Sequence, residues 1–179
     1  MPETVCRLAA WTTALQQYHA KHHVTQSVWW EPVEFSMEPT LLKPSDSWYC
    51  ALSSLLGDEL PSVQGVVSQQ MCGAIRFQGM LIQQGHHVLL AKTPEWESDV
   101  VAVVRGIMIV GMGHNATCIL STDIIGAMYF PEGSLCPVVK HGTTIKESHL
   151  VDAEKSAGSF MVVHIVSKNP DISWVLPRL

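Results

Sequence analysis

The sequence predicts an α+β domain in which helices precede a mainly antiparallel sheet. Two observations about pattern carry this expectation. Apolar residues ahead of Gly85 recur at helical spacing, and after it they gather into Val-, Ile- and Thr-rich runs separated by turn residues. A third observation is size. With 179 residues and 47% hydrophobic composition, the chain suffices for one domain with its own core, needing neither disulfides nor a structural metal.

Taken in order, residues 5–23 set Val5, Leu8, Ala9, Trp11 and Leu15 among polar neighbours, a helix pattern. Residues 28–35 read as short extended structure limited by Pro32, and Pro39 and Pro44 hold residues 38–45 in a loop. Trp48, Ala51, Leu52, Leu55 and Leu56 then form one apolar helical stripe, with Asp46 as N-cap candidate and Gly57 at the C-cap. Residues 62–84 are expected to form a second, longer helix weakened by Gly65, Gly73 and Gly79. Residues 87–91, 100–110, 116–120, 124–130 and 160–166 read as strands, and residues 167–179 as a tail. The expected organisation is a single domain over residues 1–179, with a helical lobe to about residue 85 and a β-rich lobe after it.

A net charge of -5 gives no sequence-wide basic field, so a nucleic-acid partner is not expected. Five cysteines, an odd number without a CxxC pair, suit a reducing compartment better than a disulfide scaffold or a zinc ribbon. The histidines at 22–23, 86–87, 141 and 149, with Cys118 and Cys136, lack zinc-ligand spacing, so no metal or other cofactor is expected. Residues 100–112 form the longest apolar run, which Arg105 interrupts and which is too short for a bilayer. The opening residues lack the pattern of a signal peptide, so the expectation is a soluble protein without membrane insertion.

Two segments are candidates for joint chemistry. Asp46-Ser47-Trp48 opens the amphipathic helix, and Gly111-Met112-Gly113-His114 precedes a strand. A helix N-terminus stabilises an anionic nucleophile, and a histidine from the second half of the fold would take its proton. The segment PSDSWYCALSSLL resembles the active-site helix of papain-like cysteine proteases, and GMGHNATCIL the glycine-flanked histidine of their second half. The likeness is greatest to compact viral forms, the picornavirus leader protease and the papain-like proteases of nidoviruses such as toroviruses.

That resemblance implies a helical lobe and an antiparallel β lobe with the active-site cleft between them. It implies Ser47 in the nucleophile's place, His114 as general base, and Trp48, Gly111 and Gly113 beside the substrate. The orienting acid would be Asp123, expected in a hairpin turn, or Glu132. Serine where the family has cysteine implies a nearly inactive form, and Cys50 is the alternative nucleophile. The implied activity is cleavage within a viral polyprotein in the host cytoplasm, extending to removal of ubiquitin or ubiquitin-like modifiers; the implied partners are polypeptides.

Two other readings stand beside this one. Phe35-Ser36-Met37-Glu38-Pro39-Thr40-Leu41 resembles the nucleophile box of type I signal peptidases, which implies a serine nucleophile at Ser36 and a lysine base, for which Lys92 is the candidate. That family continues its box with a strand, whereas the residues after Asp46 read as helix. The third reading is a non-catalytic binding module in which Asp46 is an ordinary cap, Trp48 a core aromatic and Gly111–Gly113 an ordinary turn.

Overall fold

Strands, not helices, dominate from the first described residue. The computed structural model describes residues 30–35, 37–77, 79–90, 98–141, 148–153 and 160–178. The strands are β1 (Trp30–Phe35), β2 (Thr40–Leu42), β3 (Ser62–Val63), β4 (Val66–Phe77), β5 (Met80–Gln83), β6 (His87–Leu90), β7 (Val100–Val110), β8 (Thr117–Tyr129), β9 (Val138–Lys140), β10 (Ser148–Asp152), β11 (Phe160–Asn169) and β12 (Ile172–Pro177). Helix α1 (Ser47–Leu56) is the one α-helix among the described residues. The expected helix at residues 5–23 lies outside them.

Six strands close on themselves. β7 pairs with β6, β6 with β11, β11 with β12, β12 with β9, β9 with β8, and β8 again with β7, every pair antiparallel. Leu89, Val101, Val139, Val163 and Val175, drawn from five of these strands, pack into one buried cluster. Because side chains alternate across a strand, this cluster marks the inward face of the barrel.

The β7–β8 hairpin is longer than the barrel needs. β7 bulges between Val104 and Gly106, and beyond the bulge Ile107–Val110 leave the barrel to pair with β4, while β10 pairs with the outer half of β8. β4 thereby becomes the spine of an N-terminal sheet that carries β1 and β2 along one side and β5 and β7 along the other. β7 is buried at every position except Arg105. One of its faces joins the cluster around Ile75, Phe77 and Ile82, and the other, through Met108 and Val110, meets Leu52 and Leu56 of α1.

The two-lobed, papain-like α+β architecture is therefore wrong, and residues 62–84 show why. They form β3, β4 and β5. Gly65 and Gly79, at φ +77 and +81, occupy hairpin turns that need the left-handed backbone, and Gly73 lies within β4; they are not weak points in a helix. β4 largely alternates buried and less buried residues from Val66 to Ala74, the strand period. The chain order of helices before strands does not exist among the described residues.

Other expectations fall nearer the structure. β7 spans residues 100–110 as expected, the runs at 116–120 and 124–130 fuse into one strand, and the tail supplies β12. The loop expected at residues 38–45 contains β2. α1 begins after Asp46 as expected, but Asp46 makes no side-chain cap bond: its Oδ2 accepts the Lys43 N–H at 2.7 Å instead.

Candidate functional site

The N-terminal sheet carries a groove between two turns. The Gln64-Gly65 turn joins β3 to β4, and both residues have positive φ (+52 and +77), which closes a tight hairpin. Gly111, at φ +89, opens the tip of the β7–β8 hairpin, and a Cβ there would lie 2.7 Å from Cγ of Pro61. Glycine is what lets the tip seat against Pro61, and its N–H donates to the Ser68 carbonyl at 2.8 Å. The resulting groove of about 260 Å³ is lined chiefly by Leu41, Pro61, Val63, Val66, Gly111 and Met112.

Its lining is apolar and exposed. Leu41 is 67% exposed, Val63 71% and Met112 71%, and Phe35 and Met37 lie exposed on the chain leading into β2. Among the described residues, β1 and β2 pair with β4 alone, so their outer side is a free sheet edge. Pro32, Pro39 and the two register shifts in β1 interrupt that edge, as edges protected from indiscriminate pairing usually are. β2 is the short uninterrupted piece that remains, and it borders the groove.

The residues singled out by motif are not assembled into one site. Ser47 stands exposed in the first turn of α1, and His114 stands exposed in the 3₁₀ turn Gly113–Asn115 at the hairpin tip. It is the far end of α1, some 15 Å along a helix of this length, that leads through Leu60 and Pro61 to that tip. Among the described residues no hydrogen bond joins Ser47 to His114. Asp123 lies not in a turn but well along β8, six residues and about 20 Å from its start at Thr117. Its Oδ2 accepts Arg105 Nε at 2.7 Å, and Glu132 lines a separate cavity beneath Trp174. Trp48 is 41% exposed, not a core aromatic, and the Cys50 thiol donates to the Pro44 carbonyl at 3.7 Å.

Ser36 and Lys92 lie outside the described residues, but their neighbours do not. Phe35 pairs with Cys72, which pairs with Ile107 of β7, whereas Leu90 pairs with Val100 at the other end of that strand. Seven residues of strand separate Val100 from Ile107, about 23 Å. The groove residues Leu41 and Val63 carried no distinguishing signal in the sequence. Met37 and Met112 read in the sequence as core filler, and both are instead exposed; the position of Met112 between two turn glycines is the signal that could have shown it.

A second polar cluster gathers where the barrel opens. His86 precedes β6 and His87 begins it, His164 lies on β11, Arg105 at the β7 bulge, His141 after β9 and Arg178 after β12. Burial holds His87 below its ordinary pKa, and His86, Arg105, His141 and His164 push it the same way. His86 is lowered by burial, then by Arg178 and His164, against a smaller opposing hydrogen bond at Leu81. His141 Nε2 lies 2.6 Å from Oγ of Ser173, which is only 3% exposed and so is a cross-strand tie rather than an accessible nucleophile. Among the described residues no three His, Cys, Asp or Glu side chains converge to hold a metal ion.

These depressed values predict a pH effect on stability. The folded chain keeps His86 and His87 neutral where the unfolded chain, with imidazoles titrating near 6.5, has begun to bind protons. Stability therefore falls as pH drops through 6.5 and levels off below the folded-state values. Urea midpoints measured between pH 8 and 5 check this, and His87→Gln is expected to flatten the decline.

Comparison with protein-family models, with curated proteins and with solved structures finds no match to this chain. No described helix is long and apolar enough to cross a membrane.

Proposed function

We propose that the chain is a non-catalytic polypeptide-binding domain that holds an extended apolar segment in the groove beside β2. The observation that carries this is the exposure of Leu41, Val63 and Met112 around one concavity. Clustered exposed apolar side chains are costly in water and mark contact surfaces. A neighbouring free strand supports an extended ligand, whose main chain would hydrogen-bond to β2 while alternate side chains enter the groove. The exposed acids Glu38 and Asp58 stand a few residues from the lining in sequence, which favours ligands with basic flanks.

A catalytic reading has less support. Ser47 and His114 share no hydrogen bond, and the strand before Ser36 lies, through β4, level with Ile107 of β7, whereas the strand before Lys92 pairs with Val100 at that strand's start. The signal-peptidase likeness gains nothing from β2, which overlaps the end of its box and is followed by helix α1, and it lacks a nearby base among the described residues.

Selection from a library of ten-residue peptides displayed on phage tests the proposal. Apolar sequences should be enriched, and Met112→Asp or Val63→Asp should weaken them by at least tenfold, about 1.4 kcal/mol. Equal binding by both variants would remove the groove from the account. Labelling of Ser47→Cys by a thiol-reactive ubiquitin probe, abolished by His114→Ala, would replace it with a protease.

A further inference from the structure

Among the described residues the cationic end of the barrel has one carboxylate facing it, that of Asp123. Arg105 is neutralised by Asp123, but Arg178 is not: its Nη1 lies 3.0 Å from Nε2 and 3.3 Å from Nδ1 of His86, and among the described residues no carboxylate meets it. His86 is otherwise held by the Gln83 N–H, which donates to its Nδ1 at 3.2 Å. The ladders bring His164 alongside. His87 pairs with Val163, and the Arg178 N–H donates to the Val162 carbonyl, so the first residues of β6 and the end of β12 flank the same stretch of β11.

Burial opposes protonation of the His86 imidazole, as do Arg178 packed on it and His164 in range, so the folded protein alone holds that ring neutral beside the guanidinium. Among the described residues the acid beside this cluster is Asp123, which is taken by Arg105; the exposed Asp171 lies at the other end of β12 from Arg178, where its carbonyl accepts the His141 N–H. Among the described residues the histidines do not converge as metal ligands, and a guanidinium beside two imidazoles with no carboxylate on it is the chemistry that suits an anion.

We propose that Arg178, His86 and His164 form a binding site for a small tetrahedral oxyanion of the phosphate class. The guanidinium supplies two parallel donors to the anion oxygens, and the imidazoles supply the third side. His87 and His141, facing into the barrel, and the paired Arg105 and Asp123 contribute field rather than contacts. Because the anion faces the His86 ring, whose protonation Arg178 otherwise opposes, affinity rises as that ring gains a proton. The site lies on the barrel and is independent of the peptide groove on the N-terminal sheet.

Titration of the full chain by NMR, reading the histidine ring resonances, tests this with three probes. Sulfate keeps its charge from pH 6 to 8 and so reports the protein's own titration; inorganic phosphate and phosphoserine distinguish a free ion from a monoester. Saturable binding of all three is expected, with sulfate at least about fivefold tighter at pH 6.0 than at 7.5. Arg178→Gln should weaken it by about fivefold or more at both pH values, and His86→Gln should remove most of the pH dependence. Phosphate binding without phosphoserine binding would assign the site to the free ion. Non-saturable shifts, or equal shifts with chloride at matched ionic strength, would overturn the proposal. So would undiminished binding by Arg178→Gln, whose exposed side chain can be changed without unfolding the barrel.

Discussion

Gly126→Ala is expected to lower stability by about 2–4 kcal/mol, among the largest effects of any single added methyl in this chain. A Cβ at Gly126 would stand 2.5 Å from the Lys140 carbonyl oxygen and 3.2 Å from Cγ2 of Val139. The first of these is backbone, so relief requires moving β9, a three-residue strand held by β8 on one side and β12 on the other. The β8–β9 seam comprises two ladder pairs, Met128–Val139 and Tyr129–Val138, and shifting either opens the barrel. Loss of backbone freedom in the unfolded chain returns about 0.4–1 kcal/mol, too little to compensate. Gly106→Ala is the control: its Cβ meets the Met71 methyl at 3.1 Å, the end of a flexible side chain, and less than about 1 kcal/mol is expected. Urea denaturation of the two variants decides the matter, and equal stabilities would mean that β9 yields more easily than its pairing suggests.

Leu52→Ala is expected to cost about 3–4 kcal/mol. Leu52 is wholly buried and joins α1 to Val67, Met108, Val110 and Ile119. A ten-residue helix has little stability of its own, so its docking rests on this leucine and Leu56. The cavity left by Leu52→Ala should also loosen the helix, exposing residues 43–56 to protease under native conditions. Ser54→Ala, on the exposed face of the same helix, should change stability by less than about 0.5 kcal/mol. A Leu52→Ala protein as stable and protease-resistant as the parent would show that α1 contributes nothing to the core.

What the sequence revealed depended on how each strand is buried. β7 was legible because a run of Val and Ile over residues 100–110, buried on both faces, fits a strand's length and composition. α1 was legible because it packs on one face only, leaving an apolar stripe. β4 was missed for a physical reason: Ser68, Gln69 and Gln70 interrupt its apolar residues, so its alternation was mistaken for the looser spacing of a helix with glycine defects. The closed barrel could not be read at all, since closure depends on β6 meeting β11 across some seventy residues of sequence. Motif reasoning fared worst with Asp123. Its side chain answers Arg105 across a strand pair, a relation invisible until β7 and β8 are placed in register. The groove went unseen because Leu41 and Val63 differ from core residues only in where the chain leaves them.

The route by which the barrel closes bears on how the chain reaches its folded form. β7 and β8 form a local hairpin and can zip early, but the last two staves arrive only with β11 and β12, near the end of the described chain. Until then Leu89 and Val101 face solvent on an unfinished cylinder. Assembly should accordingly be slow, with its transition state waiting on the β6–β11 pairing. A nascent chain arrested before Phe160 would present two open seams, making it a client for chaperones or a seed for aggregation.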